Sequence, residues 1–142
     1  FVTAVFGKLN IKTGELVFIN AGHESILFFY ENKNYEYIKS DMPPIGIVKY
    51  FTETMVKSNT INLKDKTFVV YTDGVTEGYL KNGAELGAEG VQDIINKMTD
   101  ITPKTIVEGI ENQLNWGAEK LRDDITCMAI NIKNTELLKK NK

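Results

Sequence analysis

The stretch Thr67-Phe68-Val69-Val70-Tyr71-Thr72-Asp73-Gly74-Val75-Thr76-Glu77-Gly78 constrains the chain more than any other. Its β-branched and aromatic run stops on an Asp-Gly pair, the pattern of a buried strand that delivers a carboxylate to the end of a sheet. A second carboxylate arrives in Arg122-Asp123-Asp124-Ile125-Thr126-Cys127-Met128-Ala129-Ile130-Asn131-Ile132, this time just ahead of a strand-like run. If the two strands are antiparallel neighbours, Asp73 and Asp123 reach the same end of one sheet. Chemistry is expected there.

The preceding residues read as hairpins. Phe1 to Leu9 and Leu16 to Asn20 are rich in Val, Ile and Phe, and the turn between them carries Gly14 where a positive φ is needed. Ile26 to Tyr30 and Tyr35 to Ile38 form a second pair around Glu31-Asn32-Lys33-Asn34. Ser40 to Ile47, broken by Pro43, Pro44 and Gly46, predicts a loop of restricted backbone. Phe51 to Leu63 alternates weakly and predicts an edge or half-exposed strand.

After Gly78 the character changes. A glycine-bearing loop from Tyr79 to Gly90 leads into Val91, Ile94, Ile95 and Met98, spaced as on one face of a helix. Thr102-Pro103 then supplies an N-cap and a proline at the first helical position, and Ile106, Val107, Ile110 and Leu114 line a second helix that Trp116 is expected to close. Ile125 to Ile132 is the last strand. Many strands, two helices and one more strand make an α+β layered domain with antiparallel sheets, since a parallel βαβ protein would alternate throughout.

The totals narrow the function classes. With 142 residues, 42% of them hydrophobic, the chain is one domain's length and can bury a core. Nineteen acidic against seventeen basic residues, with no basic stripe, argue against nucleic acid. A single cysteine, Cys127, excludes an internal disulfide and reads as a buried thiol in a reducing compartment. No apolar run approaches the ~20 residues that cross a bilayer, so a soluble, cytoplasmic chain is expected. It opens in a strand-like pattern without Met and is expected to start partway through a longer protein.

Asp73-Gly74 alone is a common turn pair, and Asp123-Asp124 alone reads as a solvated turn. The functional reading makes Asp73 and one of the adjacent pair metal ligands, Gly74 leaving room beside the backbone; if Asp123 faces the site, Asp124 points away and supports or caps it. Oxygen donors without thiolates or clustered imidazoles suit Mg²⁺ or Mn²⁺. His23 is the sole histidine and reads as a hydrogen-bonded turn residue rather than a general acid. No phosphate-cradling loop with Lys-Ser/Thr is present, which removes kinase and dinucleotide-binding readings.

The succession Phe1-Val2-Thr3-Ala4-Val5-Phe6-Gly7, Asn20-Ala21-Gly22-His23, Pro43-Pro44-Ile45-Gly46-Ile47, Tyr71-Thr72-Asp73-Gly74-Val75-Thr76-Glu77 and Asp123-Asp124-Ile125-Thr126 resembles the second half of the SpoIIE/RsbU branch of PPM-type metal-dependent serine/threonine phosphatases. The likeness spans residues 1–133 as the C-terminal portion of the phosphatase domain, leaving 134–142 as a polar, basic tail. The resemblance implies a β-sandwich of antiparallel sheets flanked by helices, with two Mn²⁺ or Mg²⁺ ions at one end. It makes Asp73 and Asp123 ligands of the same ion and the catalytic residues, with Gly74, Asp124 and Glu77 around them. It also implies hydrolysis of a phosphoserine by metal-activated water, on a STAS-domain anti-anti-sigma protein in bacterial partner switching.

One departure stands out. The family's bridging carboxylate follows a Gly-Gly pair, and this chain contains no Gly-Gly. The chain by itself is therefore expected to bind metal weakly and turn over poorly. Two alternatives remain: a non-catalytic module that docks a STAS partner, and a chain whose open sheet edges are covered by homodimerisation.

Overall fold

The computed structural model describes residues 1–114 and 123–132. Two antiparallel sheets are built from seven strands: β1 Ala4–Leu9, β2 Glu15–Ala21, β3 Ile26–Tyr30, β4 Tyr35–Ile38, β5 Asn59–Asn62, β6 Lys66–Tyr71 and β7 Cys127–Asn131. One sheet has the order β1-β2-β5 and the other β4-β3-β6-β7. Three helices follow β6, namely α1 Asp73–Thr76, α2 Gly87–Asn96 and α3 Pro103–Gln113. The α+β layered architecture expected from the element order is the one observed.

The layers follow from strand alternation. Phe18 of β2, Ile26 and Phe28 of β3, and Phe68 and Val70 of β6 meet between the two sheets. Successive side chains point to opposite faces, so Leu27, Phe29, Val69 and Tyr71 face the other way and pack against Val91, Ile95, Ile106 and Ile110 of the helices. This is why β3 and β6 are continuous apolar runs rather than alternating ones: both of their faces are buried. Among the described residues the helices cover one outer face of the sandwich, that of the β6 sheet.

Local chemistry sets the boundaries. Gly14 adopts φ +81° in the first turn, where its N–H donates to Asn10 O at 2.8 Å. In the second hairpin Lys33 takes φ +66°, and its ammonium donates to the carbonyls of Asn96 and Met98 at 3.2 and 3.0 Å, closing the C-terminal end of α2. Thr102 caps α3 reciprocally: its hydroxyl accepts from Thr105 N at 3.2 Å and Thr105 Oγ1 accepts from Thr102 N at 2.9 Å.

Three expectations shift. The strand proposed over Phe51 to Leu63 is confined to Asn59–Asn62, the length over which β5 pairs with β2, while Glu53–Met55 forms a 3₁₀ turn. Asp73 starts a single helical turn instead of a simple turn pair. The loop after Gly78 ends earlier than expected, because α2 already begins at Gly87, whose φ is +67°. Trp116, expected to close α3, and the tail lie outside the described residues.

Candidate metal centre

β6 and β7 are antiparallel neighbours, with Tyr71 opposite Cys127 and Thr67 opposite Asn131. The chain leaves β6 through Thr72 into Asp73 and enters β7 from Asp123 through Thr126. Both carboxylates therefore stand at one end of the same sheet, as the strand order requires. Asp73 and Asp123 are exposed.

The two segments touch directly. Thr72 N donates to Thr126 O at 3.0 Å, Thr126 N donates to Thr72 Oγ1 at 3.0 Å, and Thr72 Oγ1 lies 3.0 Å from Asp124 O, to which it donates. Gly74 is buried under the same segment: a Cβ there would fall 2.5 Å from Asp124 O and 3.3 Å from Asp123 O. The room that glycine leaves is thus filled by the Asp123-Asp124 main chain. Each carboxylate accepts from the N–H that follows it, Asp73 Oδ1 from Gly74 at 2.9 Å and Asp123 Oδ1 from Asp124 at 2.7 Å. Those bonds hold one oxygen of each group, and among the described residues the other oxygen is left for a further partner.

Glu77 is exposed at the end of α1, where its N–H donates to Asp73 O at 2.8 Å. Four residues apart on one helical turn, Asp73 and Glu77 share a face. His23 is tied elsewhere. Its Nδ1 lies 3.2 Å from Thr3 Oγ1 and its N–H donates to Asn20 Oδ1 at 2.9 Å, the bonding of a turn histidine.

The β2–β3 connection leaves at the Asp73 end of the sheet, because Leu27 of β3 pairs with Val69 of β6. Fully buried Asn20 holds that connection from both sides, accepting from His23 N and donating through Nδ2 to Glu24 O at 2.9 Å. Gly22 N donates to Ser40 Oγ at 2.7 Å, and at φ +69° a Cβ on Gly22 would lie 2.5 Å from Pro44 Cδ. The Asn-Ala-Gly-His and Pro-Pro-Ile-Gly stretches are therefore one packed unit. Beneath it, burial raises the Tyr71 hydroxyl above the ordinary tyrosine range, with Tyr37 and Glu24 adding to the shift. Cys127, expected to be buried, is only partly so, yet that burial still pushes its thiol up to about 11, the character of an unreactive structural thiol.

Two exposed carboxylates, each with an oxygen to spare and with no cationic partner among the described residues, fit a hard divalent cation. They do not complete its shell: among the described residues no group of three or more His, Cys, Asp or Glu side chains converges. Sequence reasoning missed Thr72 and Thr126. The hint was a hydroxyl residue just before Asp73 and another two positions after Asp124.

The family model for stage II sporulation protein E (SpoIIE) matches residues 1–133. The chain belongs to the SpoIIE family. Protein IcfG of Synechocystis sp. (strain ATCC 27184 / PCC 6803 / Kazusa) is 26% identical over 137 residues, which are 92% of this chain and 20% of that protein. Among solved structures, the RsbU and RsbW domains of a Mycobacterium tuberculosis protein superpose with a TM-score of 0.69 at 19% identity, over 92% of this chain and 37% of that one. The Mn-presoaked phosphatase domain of SpoIIE from Bacillus subtilis gives 0.65 at 17% identity, over 93% and 56%. At these identities the structures share the SpoIIE-type phosphatase fold, and the chain spans well under two thirds of each relative. No helix among the described residues is long and apolar enough to cross a membrane.

Proposed function

We propose that the chain is part of a cytoplasmic, metal-dependent protein serine/threonine phosphatase in which Asp73 and Asp123 ligate one Mn²⁺ or Mg²⁺ and a phosphoserine is hydrolysed. The observation that carries this reading is the delivery of both carboxylates to one sheet end by antiparallel β6 and β7. When bound, divalent cations supply charge neutralisation at the phosphoryl group and activation of water. The chain's own part is to hold the two carboxylates in register through Thr72, Gly74 and Thr126, with Glu77 and Asp124 beside them. Hydrolysis by water needs no protein nucleophile, which accords with a raised Cys127 thiol and a His23 bonded into a turn.

The substrate in this reading is a phosphorylated STAS-domain anti-anti-sigma protein, supported by family membership and by the likeness to a chain that joins RsbU and RsbW domains. The remaining ligands, including a bridging carboxylate, come in this reading from polypeptide beyond these residues. That inference rests on the two-carboxylate set and on relatives much longer than this chain.

The two-carboxylate set also favours a second reading, a phosphatase-like module that docks its partner without hydrolysis. Hydrolysis of an aryl phosphate by the full-length protein separates the two. The phosphatase reading expects activity that requires Mn²⁺, is abolished by EDTA and falls at least about 100-fold in Asp73→Asn. Activity that survives Asp73→Asn would sink the assignment of Asp73, and a full-length protein inert with every divalent cation would favour docking.

A further inference from the structure

Thr72 sits where the chain changes from strand to helix, and its groups divide between the two. Its main-chain N–H extends the β6–β7 ladder by donating to Thr126 O at 3.0 Å. In a regular ladder its carbonyl would accept from Thr126 N–H in return. That carbonyl instead accepts from Val75 N at 2.9 Å, opening α1 and with it the turn that carries Asp73. The hydroxyl takes the vacated place: it accepts from Thr126 N at 3.0 Å and donates to Asp124 O at 3.0 Å. A longer contact of 3.5 Å reaches Thr126 O, so all three hydrogen-bond contacts of the hydroxyl go to the segment that bears Asp123.

We propose that the Thr72 hydroxyl is a positioning group that latches the Asp123-Asp124 segment to the start of α1, fixing the separation of Asp73 and Asp123 and thereby the affinity for the divalent cation. This rests on the metal-site reading above. The hydroxyl touches neither carboxylate; it acts through the main chain of Asp124 and Thr126. Without it, Thr126 N–H and Asp124 O lose their partners while the carbonyl of Thr72 stays committed to α1, so no main-chain group can restore the ladder. Serine at this position preserves both bonds. Valine preserves the shape and removes them.

The test compares Thr72→Val, Thr72→Ser and Asp73→Asn in the full-length protein by amide hydrogen exchange without metal and by Mn²⁺ titration. In Thr72→Val the Thr126 amide is expected to exchange at least about 10-fold faster, and Mn²⁺ to bind about 10- to 100-fold more weakly, the range seen when groups supporting a metal ligand are removed. Thr72→Ser is expected to match wild type in both. Should Thr72→Val fail to fold, Thr72→Ala takes its place. Unchanged exchange at Thr126, or Mn²⁺ affinity equal to wild type in the variant lacking the hydroxyl, overturns the latch. If wild type and Asp73→Asn bind Mn²⁺ equally, the metal-site reading fails and takes the affinity claim with it, while exchange in the metal-free protein still decides whether Thr72 holds the segment.

Discussion

Replacing Gly74 with alanine isolates the contact between the two carboxylate-bearing segments. The residue is buried and its φ lies outside the left-handed region, so alanine meets no backbone penalty there and the effect is steric. The new Cβ would lie 2.5 Å from Asp124 O and 3.0 Å from Asp124 C. Main chain cannot rotate aside as a flexible side chain can, so the carbonyl must withdraw by about 0.5 Å to reach even a 3.0 Å contact. Overpacking of this kind costs about 1–3 kcal/mol, which lowers Tm by roughly 3–9 °C for an unfolding unit of 142 residues and by less for a longer one. Asp123 adjoins that peptide group, so the withdrawal is expected to carry it by more than the ~0.2 Å that metal–ligand distances tolerate. At a Mn²⁺ concentration of about 100 Kd, wild type should gain ~2.7 kcal/mol from the ion, and a variant binding tenfold more weakly about 1.4 kcal/mol. Thermal denaturation of the full-length protein in EDTA and in Mn²⁺ therefore reads both effects, with the metal-induced rise in Tm about halved. Gly83→Ala is the control: at φ +84° with nothing within 4 Å, it costs backbone strain alone and should leave the Mn²⁺ increment intact. Wild-type Tm and a full Mn²⁺ increment in Gly74→Ala would refute the reasoning, as would an equal loss of the increment in Gly83→Ala.

Two further expectations concern the scaffold. Thr102→Ala removes the hydroxyl that accepts from Thr105 N, and should cost about 1 kcal/mol, near 3 °C in Tm, with no change in Mn²⁺ binding; a neutral result would mean the cap contributes nothing. Burial raises Cys127 from 9.0 to about 11, so its thiolate share at pH 8 falls roughly 100-fold and alkylation by iodoacetamide should slow in proportion relative to the urea-unfolded chain. Since the folded value is the raised one, this thiol's contribution to stability is intact below about pH 9 and is lost as pH rises through about 11.

How far the sequence could be read depended on whether a residue's role was local. The strand ending at Asp73, the strand following Asp123 and the Thr102-Pro103 start of α3 were legible because apolar runs and caps act within a few residues. The antiparallel pairing of β6 with β7 was a conditional inference that the observed register satisfies. Phe51 to Leu63 misled, because weak polar alternation does not distinguish an exposed strand from a turn; only where β2 offers partners, Glu15 to Phe18, does a strand form. Thr72 offered only the hint of a hydroxyl beside Asp73, for a different reason. Its hydroxyl has a task only once Thr126 stands opposite it and its own carbonyl has turned into α1, a fact about tertiary pairing that no window of sequence contains.

The chemistry of the latch bears on what the site can hold. Two carboxylates at one sheet end repel, and a protein can offset that repulsion with a neighbouring cationic side chain. The ion pairs among the described residues are Lys57–Asp41 and Lys104–Glu108, neither of which involves Asp73 or Asp123. Among the described residues the constraint comes from neutral groups: a hydroxyl, main-chain amides and a glycine packed under a carbonyl. A lysine in their place would relieve the repulsion but compete with any incoming cation for the same oxygens. Restraint by these neutral groups does not itself relieve the repulsion, whereas a bound cation would. A lysine introduced beside the pair should therefore stabilise the metal-free protein while weakening Mn²⁺ binding; a purely structural aspartate pair would show the stabilisation without any Mn²⁺ affinity to lose.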